Sequence, residues 1–254
     1  EVFLLLLEDV KSPAKFARVA ARALRAGKPL IVSKLGRSRA GSRAVAAHTG
    51  AKAGSDAEHR AAFARHGVIA SDDLDEMLDI AASFVAFGSR LPAGNRVGIC
   101  TSSGGGGAWL ADACSAAGLE VPELDAATRG CIDRHLPSYG TSRNPVDVTA
   151  QGVYRSAYAQ FARLMVASPA IDSVIVALTA RNPRLLTRDR EPLATLAGES
   201  RKPICMWSYT EPAPESVSLL SEAGYPLFTT AKHCARALRV MAEYRAARER
   251  SMRE

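Results

Sequence analysis

The stretch Asn95-Arg96-Val97-Gly98-Ile99-Cys100-Thr101-Ser102-Ser103-Gly104-Gly105-Gly106-Gly107 decides the fold. A short apolar run, residues 96–101, is joined by four glycines to a segment of helix formers that Gly118 ends. A strand turning into a helix is the repeating unit of parallel α/β architecture. The helix is expected from about residue 107 to 117. Bare backbone N–H groups at a helix N-terminus, reinforced by the helix dipole, cradle phosphate. Ser102, Ser103, Gly104, Gly105, Gly106 and Gly107 are therefore candidate phosphate-binding residues. An ordinary strand–helix turn is the competing reading, but four consecutive glycines carry an entropic cost that a mere turn does not require. The dinucleotide fingerprint G-x-G-x-x-G fails, because its third glycine would fall on Trp109 or Leu110. No Gly-Lys-Ser/Thr follows, so a Walker A loop is absent as well.

Outward from this unit the alternation continues. Strands are expected over residues 2–7, 29–33 and 68–70 before it, and near 119–121, 173–178, 204–208 and 226–228 after it. Helices are expected over residues 13–26, 55–66 and 71–87; Ser12-Pro13 opens the first and Gly27 ends it. Residues 35–54 are rich in Gly, Ser, Ala and Arg without an apolar period, and read as a loop with at most a helical turn at 44–47. The cluster Pro92-Ala93-Gly94-Asn95 marks a boundary. This divides the chain into a first domain, 1–92, a second, 93–240, and a basic helical tail or linker, 241–254. Five strands complete a doubly wound, flavodoxin-like sheet in the second domain. Three strands are too few for a sheet covered on both faces, so the first domain reads as incomplete.

Composition narrows the function. A chain of 254 residues with 47% hydrophobic and 23% charged side chains is not globally disordered. Its longest pure apolar run, residues 2–7, is far below the ~20 residues of a membrane helix, and the flanks of a secretory signal are missing. No membrane partner is expected. Five cysteines, odd in number and with no C-x-x-C pair, point to reduced thiols in the cytoplasm, without a disulfide frame or metal site. The net charge of +7 is either ordinary surface charge or the mark of an anionic partner. No zinc spacing or RNP-like motif is present, and aromatics make up only 6%, which argues against nucleic acid and favours anionic small molecules. A chain that opens at Glu1 and enters an apolar strand at once reads as a piece of something longer.

His48 is the strongest chemical candidate. A lone histidine in a loop is usually a surface residue, but this one is ringed by Lys34, Arg37, Arg39, Arg43 and Lys52 with no acid between them. Gly36, Gly41, Gly50 and Gly54 would let such a loop swing or approach a ligand. An imidazole with a pKa near ~6.5 is partly neutral at pH 7, so one nitrogen can attack phosphorus while the other is held by an acceptor. Glu8 lies at the end of an apolar strand, where α/β folds place functional residues, although a strand-terminal acid is more often simply solvated. Asn144 and Asp147, in Ser142-Arg143-Asn144-Pro145-Val146-Asp147, form a possible site loop that is weak evidence alone.

Together these pieces resemble the NDP-forming acyl-CoA synthetases, relatives of succinyl-CoA synthetase. The resemblance rests on Leu6-Leu7-Glu8-Asp9-Val10-Lys11-Ser12-Pro13, on residues 28–38, on Ala47-His48-Thr49-Gly50-Ala51, on residues 95–101 with the glycine run, and on Asn144-Pro145-Val146-Asp147. It covers nearly the whole chain in order, as two flavodoxin-like CoA-ligase domains, the first incomplete. The resemblance implies that His48 accepts a phosphoryl group, that Glu8 orients it, and that residues 103–107 face the phosphate. It implies CoA, ATP or ADP, and Mg²⁺ in the complete enzyme, bound mainly by an ATP-grasp module and a CoA-binding domain outside this chain. A homo- or hetero-oligomer is expected. The alternative is a non-catalytic acyl-CoA-sensing module of the same fold, such as a partner of an acetyltransferase domain. A dinucleotide-binding oxidoreductase domain is a third reading, disfavoured by the missing glycine.

Overall fold

The computed structural model describes residues 1–50 and 55–253. The chain separates into two compact units, Glu1–Val85 with Glu243–Glu254, and Ala86–Ala242. The first unit contains β1 (Phe3–Leu7), α1 (Pro13–Arg25), β2 (Leu30–Lys34), α2 (Arg39–Thr49), α3 (Asp56–Arg65) and β3 (Ile69–Ser71), and α4 (Leu74–Phe87) begins in it. Its sheet is parallel with order β1-β2-β3. Leu30, Val32, Phe63 and Val68 form its buried centre with Ala20 of α1. Proline at the first turn and Gly27 at φ +67 bound α1.

The second unit contains β4 (Val97–Thr101), α5 (Gly104–Ala116), α6 (Ala126–Asp133), β5 (Val146–Asp147), α7 (Thr149–Val166), β6 (Ser173–Leu178), α8 (Arg184–Arg188), α9 (Arg190–Glu199), β7 (Ile204–Ser208), α10 (Pro214–Glu222) and β8 (Leu227–Phe228), followed by α11 (Ala231–Ser251). All pairings in its sheet are parallel, in the order β5-β4-β6-β7-β8. Counted within this unit, that order is 2-1-3-4-5, the flavodoxin-like arrangement, with its switch point between β4 and β6. β4, β6 and β7 are buried along their whole length, as strands covered on both faces must be. Among the described residues no helix is long and apolar enough to cross a membrane.

Four expectations are corrected. Residues 39–49 are a full helix, α2, and not a loop. The apolar period fails there because Val45 is its only buried residue, while alanines and the Ser38 cap carry the helix. Helix α5 starts at Gly104, not near Gly107, because Ser103 caps it. Residues 119–121 form no strand: Glu120 makes a single bridge to Arg96, and Val146–Asp147 supplies the edge strand. The boundary placed at 240 falls inside a helix. Residues 241–251 continue α11, where Tyr244 packs edge-to-face on Phe84 at 5.2 Å and the Arg248 guanidinium covers Gly27.

Candidate functional site

In the first unit the carboxyl end of the sheet carries the histidine. Glu8 follows β1 directly, and its Oε2 accepts a 2.6 Å hydrogen bond from the Thr49 hydroxyl. Thr49 and His48 end α2, and Gly50 closes the helix in the left-handed conformation at φ +70. His48 is exposed and, among the described residues, its ring makes no hydrogen bond. The fold thus brings the imidazole and the acid to one edge of the sheet from positions 40 residues apart in sequence.

The expected basic ring is corrected. Arg37 is held by Asp72, through the backbone carbonyl at 2.7 Å and Oδ1 at 3.3 Å, and lies 3.9 Å from Asp56. Lys34 is buried, and its ammonium donates to the Leu35 carbonyl at 2.6 Å. Arg39 and Arg43 line an open cleft with Gly36, Ser38 and Ser42. The hinge expectation is also redistributed. Gly36 and Gly50 flank α2 at positive φ, whereas Gly41 sits inside its first turn, where a Cβ would lie 3.3 Å from the Gly36 Cα. Lys52 and Gly54 lie outside the described residues.

In the second unit the glycine run opens α5 at the switch point of the sheet. The Thr101 hydroxyl donates to the Ser103 carbonyl at 2.8 Å and accepts from the Ser103 N–H at 3.0 Å. Ser103 Oγ accepts from the Gly106 N–H at 3.3 Å. The N–H groups of Gly104 and Gly105 have no partner among the described residues, and both glycines are exposed. Gly107 serves close approach: a Cβ there would lie 2.8 Å from Thr101 Cγ2 and 3.2 Å from Pro145 Cβ. The tight helix–strand contact is therefore made at Gly107, so bulky residues are tolerated at 109 and 110.

Asn144 clamps the site loop. Its amide donates to the carbonyls of Val97 and Pro122, both at 2.8 Å, and its Oδ1 accepts from the Ile99 N–H at 2.9 Å. Asp147 faces the site itself. Its Oδ1 accepts from the Thr149 N–H at 2.9 Å, and its Oδ2 lies 3.1 Å from where a Cβ on Gly104 would stand. Two residues escaped the sequence reading: Tyr158 and Tyr209, whose hydroxyls lie 2.9 and 3.3 Å from Ser102 Oγ. No local motif marks either tyrosine. Among the described residues no group of three or more His, Cys, Asp or Glu side chains is placed to hold a metal ion.

Comparison with known proteins identifies the two domains. Residues 1–84 match the succinyl-CoA ligase like flavodoxin domain, and residues 97–183 match the Ligase-CoA domain. The chain carries a succinyl-CoA-ligase-like flavodoxin domain followed by a Ligase-CoA domain. Among relatives, the alpha subunit of an ADP-forming acetate–CoA ligase II of Pyrococcus furiosus is 38% identical over 67% of this chain and 36% of its own length. An ADP-forming acetate–CoA ligase I of Archaeoglobus fulgidus is 31% identical over 96% of this chain and 34% of its own length. A solved acetyl-coenzyme A synthetase 1 of Ca. Korarchaeum cryptofilum, in complex with phosphate and ADP, superposes with a TM-score of 0.81 at 25% identity, covering 99% of this chain and 55% of that one. The chain spans about a third of the length of these two ligases. The two domain models fall one on each unit.

Proposed function

We propose that this chain supplies the phosphoryl-carrying part of an ADP-forming acyl-CoA synthetase, with His48 as carrier. The complete protein interconverts acyl-CoA, ADP and phosphate with carboxylic acid, CoA and ATP. The observation that carries this reading is the Thr49–Glu8 hydrogen bond, which sets a carboxylate beside the histidine-bearing turn. Phosphate attacks the thioester carbonyl and displaces the CoA thiolate, giving an acyl phosphate. A neutral His48 nitrogen then forms a bond to phosphorus as the P–O bond to the acyl group breaks and the carboxylate leaves. Glu8 orients the ring and balances the positive charge that develops on it. The phosphoryl group passes from His48 to ADP as the N–P bond breaks.

The α5 N-terminus, with the Gly104 and Gly105 N–H groups, binds the phosphoryl oxygens and stabilises their charge. Mg²⁺ supplies charge neutralisation at the nucleotide when bound, but the acid and imidazole groups described here do not fit a metal centre, so no step is assigned to it on this chain. An ATP-grasp module and a CoA-binding domain are the partners, within a homo- or hetero-oligomer, and the free cysteines suit a reducing cytoplasm. The relatives' names favour this reading over a non-catalytic acyl-CoA sensor. Labelled ATP added to the full-length protein should leave an acid-labile, base-stable phosphate on His48. Equal labelling of His48→Ala would overturn the assignment.

A further inference from the structure

Three hydroxyls stand at the entrance to α5, and only one is not committed to the backbone. Thr101 and Ser103 bond backbone groups of their own turn. Ser102 instead meets two phenols, Tyr158 at 2.9 Å and Tyr209 at 3.3 Å. Tyr158 is 2% exposed, and among the described residues Ser102 Oγ is the partner its hydroxyl has. A buried O–H that found no acceptor would be strongly unfavourable, so the Tyr158 hydroxyl donates to Ser102. Tyr209 is half-buried and has water as an alternative partner.

We propose that Tyr158 is a positioning residue: by donating to Ser102 Oγ, it turns the serine's own proton outward, toward an anion at the α5 N-terminus. This rests on the reading of that terminus as the phosphoryl site. Ser102 then acts as a third donor beside the Gly104 and Gly105 N–H groups. The ring that delivers this hydroxyl is held by an unusual piece of backbone. Helix α7 is broken at Ala157, at φ 66 and ψ 153, a region L-residues rarely adopt. The break frees the Tyr158 N–H, which donates to Asp189 Oδ2 at 3.1 Å; Asp189 is itself 1% exposed and paired with Arg188 at 2.8 Å. Burial pushes the Tyr158 phenol well above its ordinary range, so it remains a donor at neutral pH.

The test uses the 254-residue chain and inorganic phosphate. Its two tryptophans, Trp109 and Trp207, adjoin this cluster, with Trp207 6.0 Å from Tyr209, so their fluorescence reports binding. Tyr158→Phe, which keeps the ring in the core, should weaken phosphate binding about fivefold to tenfold, the scale of one oriented hydrogen bond. Ser102→Ala should weaken it similarly, and the double variant should be no weaker than Ser102→Ala alone. A purely structural Tyr158 would lower the melting temperature and leave the phosphate affinity unchanged. That outcome, or effects of the two variants that multiply independently, would overturn the proposal. If the unaltered chain binds no phosphate, the reading of the α5 terminus fails first and the role of Tyr158 with it.

Discussion

The Thr49 hydroxyl donates to Glu8 Oε2 at 2.6 Å, tying the carboxyl end of β1 to the last turn of α2. His48 precedes Thr49, so the bond brings the acid to the turn that carries the imidazole. Residues 39–49 are helical where a mobile loop is expected from composition, and the flanking glycines at 36 and 50 take positive φ.

This relationship predicts a graded series in the full-length enzyme. His48→Ala should abolish phosphorylation from ATP and net thioester synthesis. Glu8→Gln keeps an acceptor oxygen but loses the charge, and should lower phosphohistidine formation by about 10²-fold. Thr49→Val should cost about tenfold, since it releases the carboxylate without removing it. Rapid-quench measurement of the labelled enzyme checks the order; a Thr49→Val loss exceeding that of Glu8→Gln would contradict it.

Asp147 places a negative charge beside the end of α5 proposed to receive phosphate. Asp147→Asn retains the acceptor for the Thr149 N–H and removes that charge. Phosphate affinity should rise about fivefold, corresponding to ~1 kcal/mol between charges a few ångströms apart in a wet site. Titration at low and high salt would show the difference shrinking as screening increases.

Two glycines of one run should respond in opposite ways. Gly107→Ala forces a Cβ to within 2.8 Å of Thr101 Cγ2 and should destabilise the second unit by about 1–3 kcal/mol. Gly105→Ala points into open space and should leave stability unchanged or raise it by up to about 1 kcal/mol. Urea unfolding of both variants decides this, with equal losses counting against the packing argument.

Acid sensitivity should centre on Asp125, the cap of α6. The Ser168 hydroxyl, the Thr128 N–H and the Thr128 hydroxyl all donate to it and lower its pKa to about 2. A depressed folded-state value means its stabilisation is complete above the ordinary carboxylate pKa and is lost as pH falls through about 2. The stability gap between the unaltered chain and Asp125→Asn should therefore be constant near neutrality and close between about pH 4 and pH 2. A gap that stayed constant down to pH 2 would show that the carboxylate's charge is not what matters.

Much of this protein follows from sequence alone. The strands over 30–34, 97–101, 173–178 and 204–208 are legible because continuous apolar runs between turn residues have few other ways to be buried. Ser103 ahead of the glycine run is legible as a helix start, because its hydroxyl can cap the backbone N–H groups that open α5. Other features depend on contacts distant in sequence. Helix α2 buries one side chain, so no period announces it. The two-residue strand Val146–Asp147 exists because the Asn144 amide and the β4 backbone hold it in place. Tyr244 becomes a core residue through Phe84, and Tyr158 reaches the entrance of α5 through Ser102, 56 positions away. Periodicity and propensity record what a residue does with its near neighbours; a hydrogen bond to a distant hydroxyl leaves no local trace, and only the folded chain sets it.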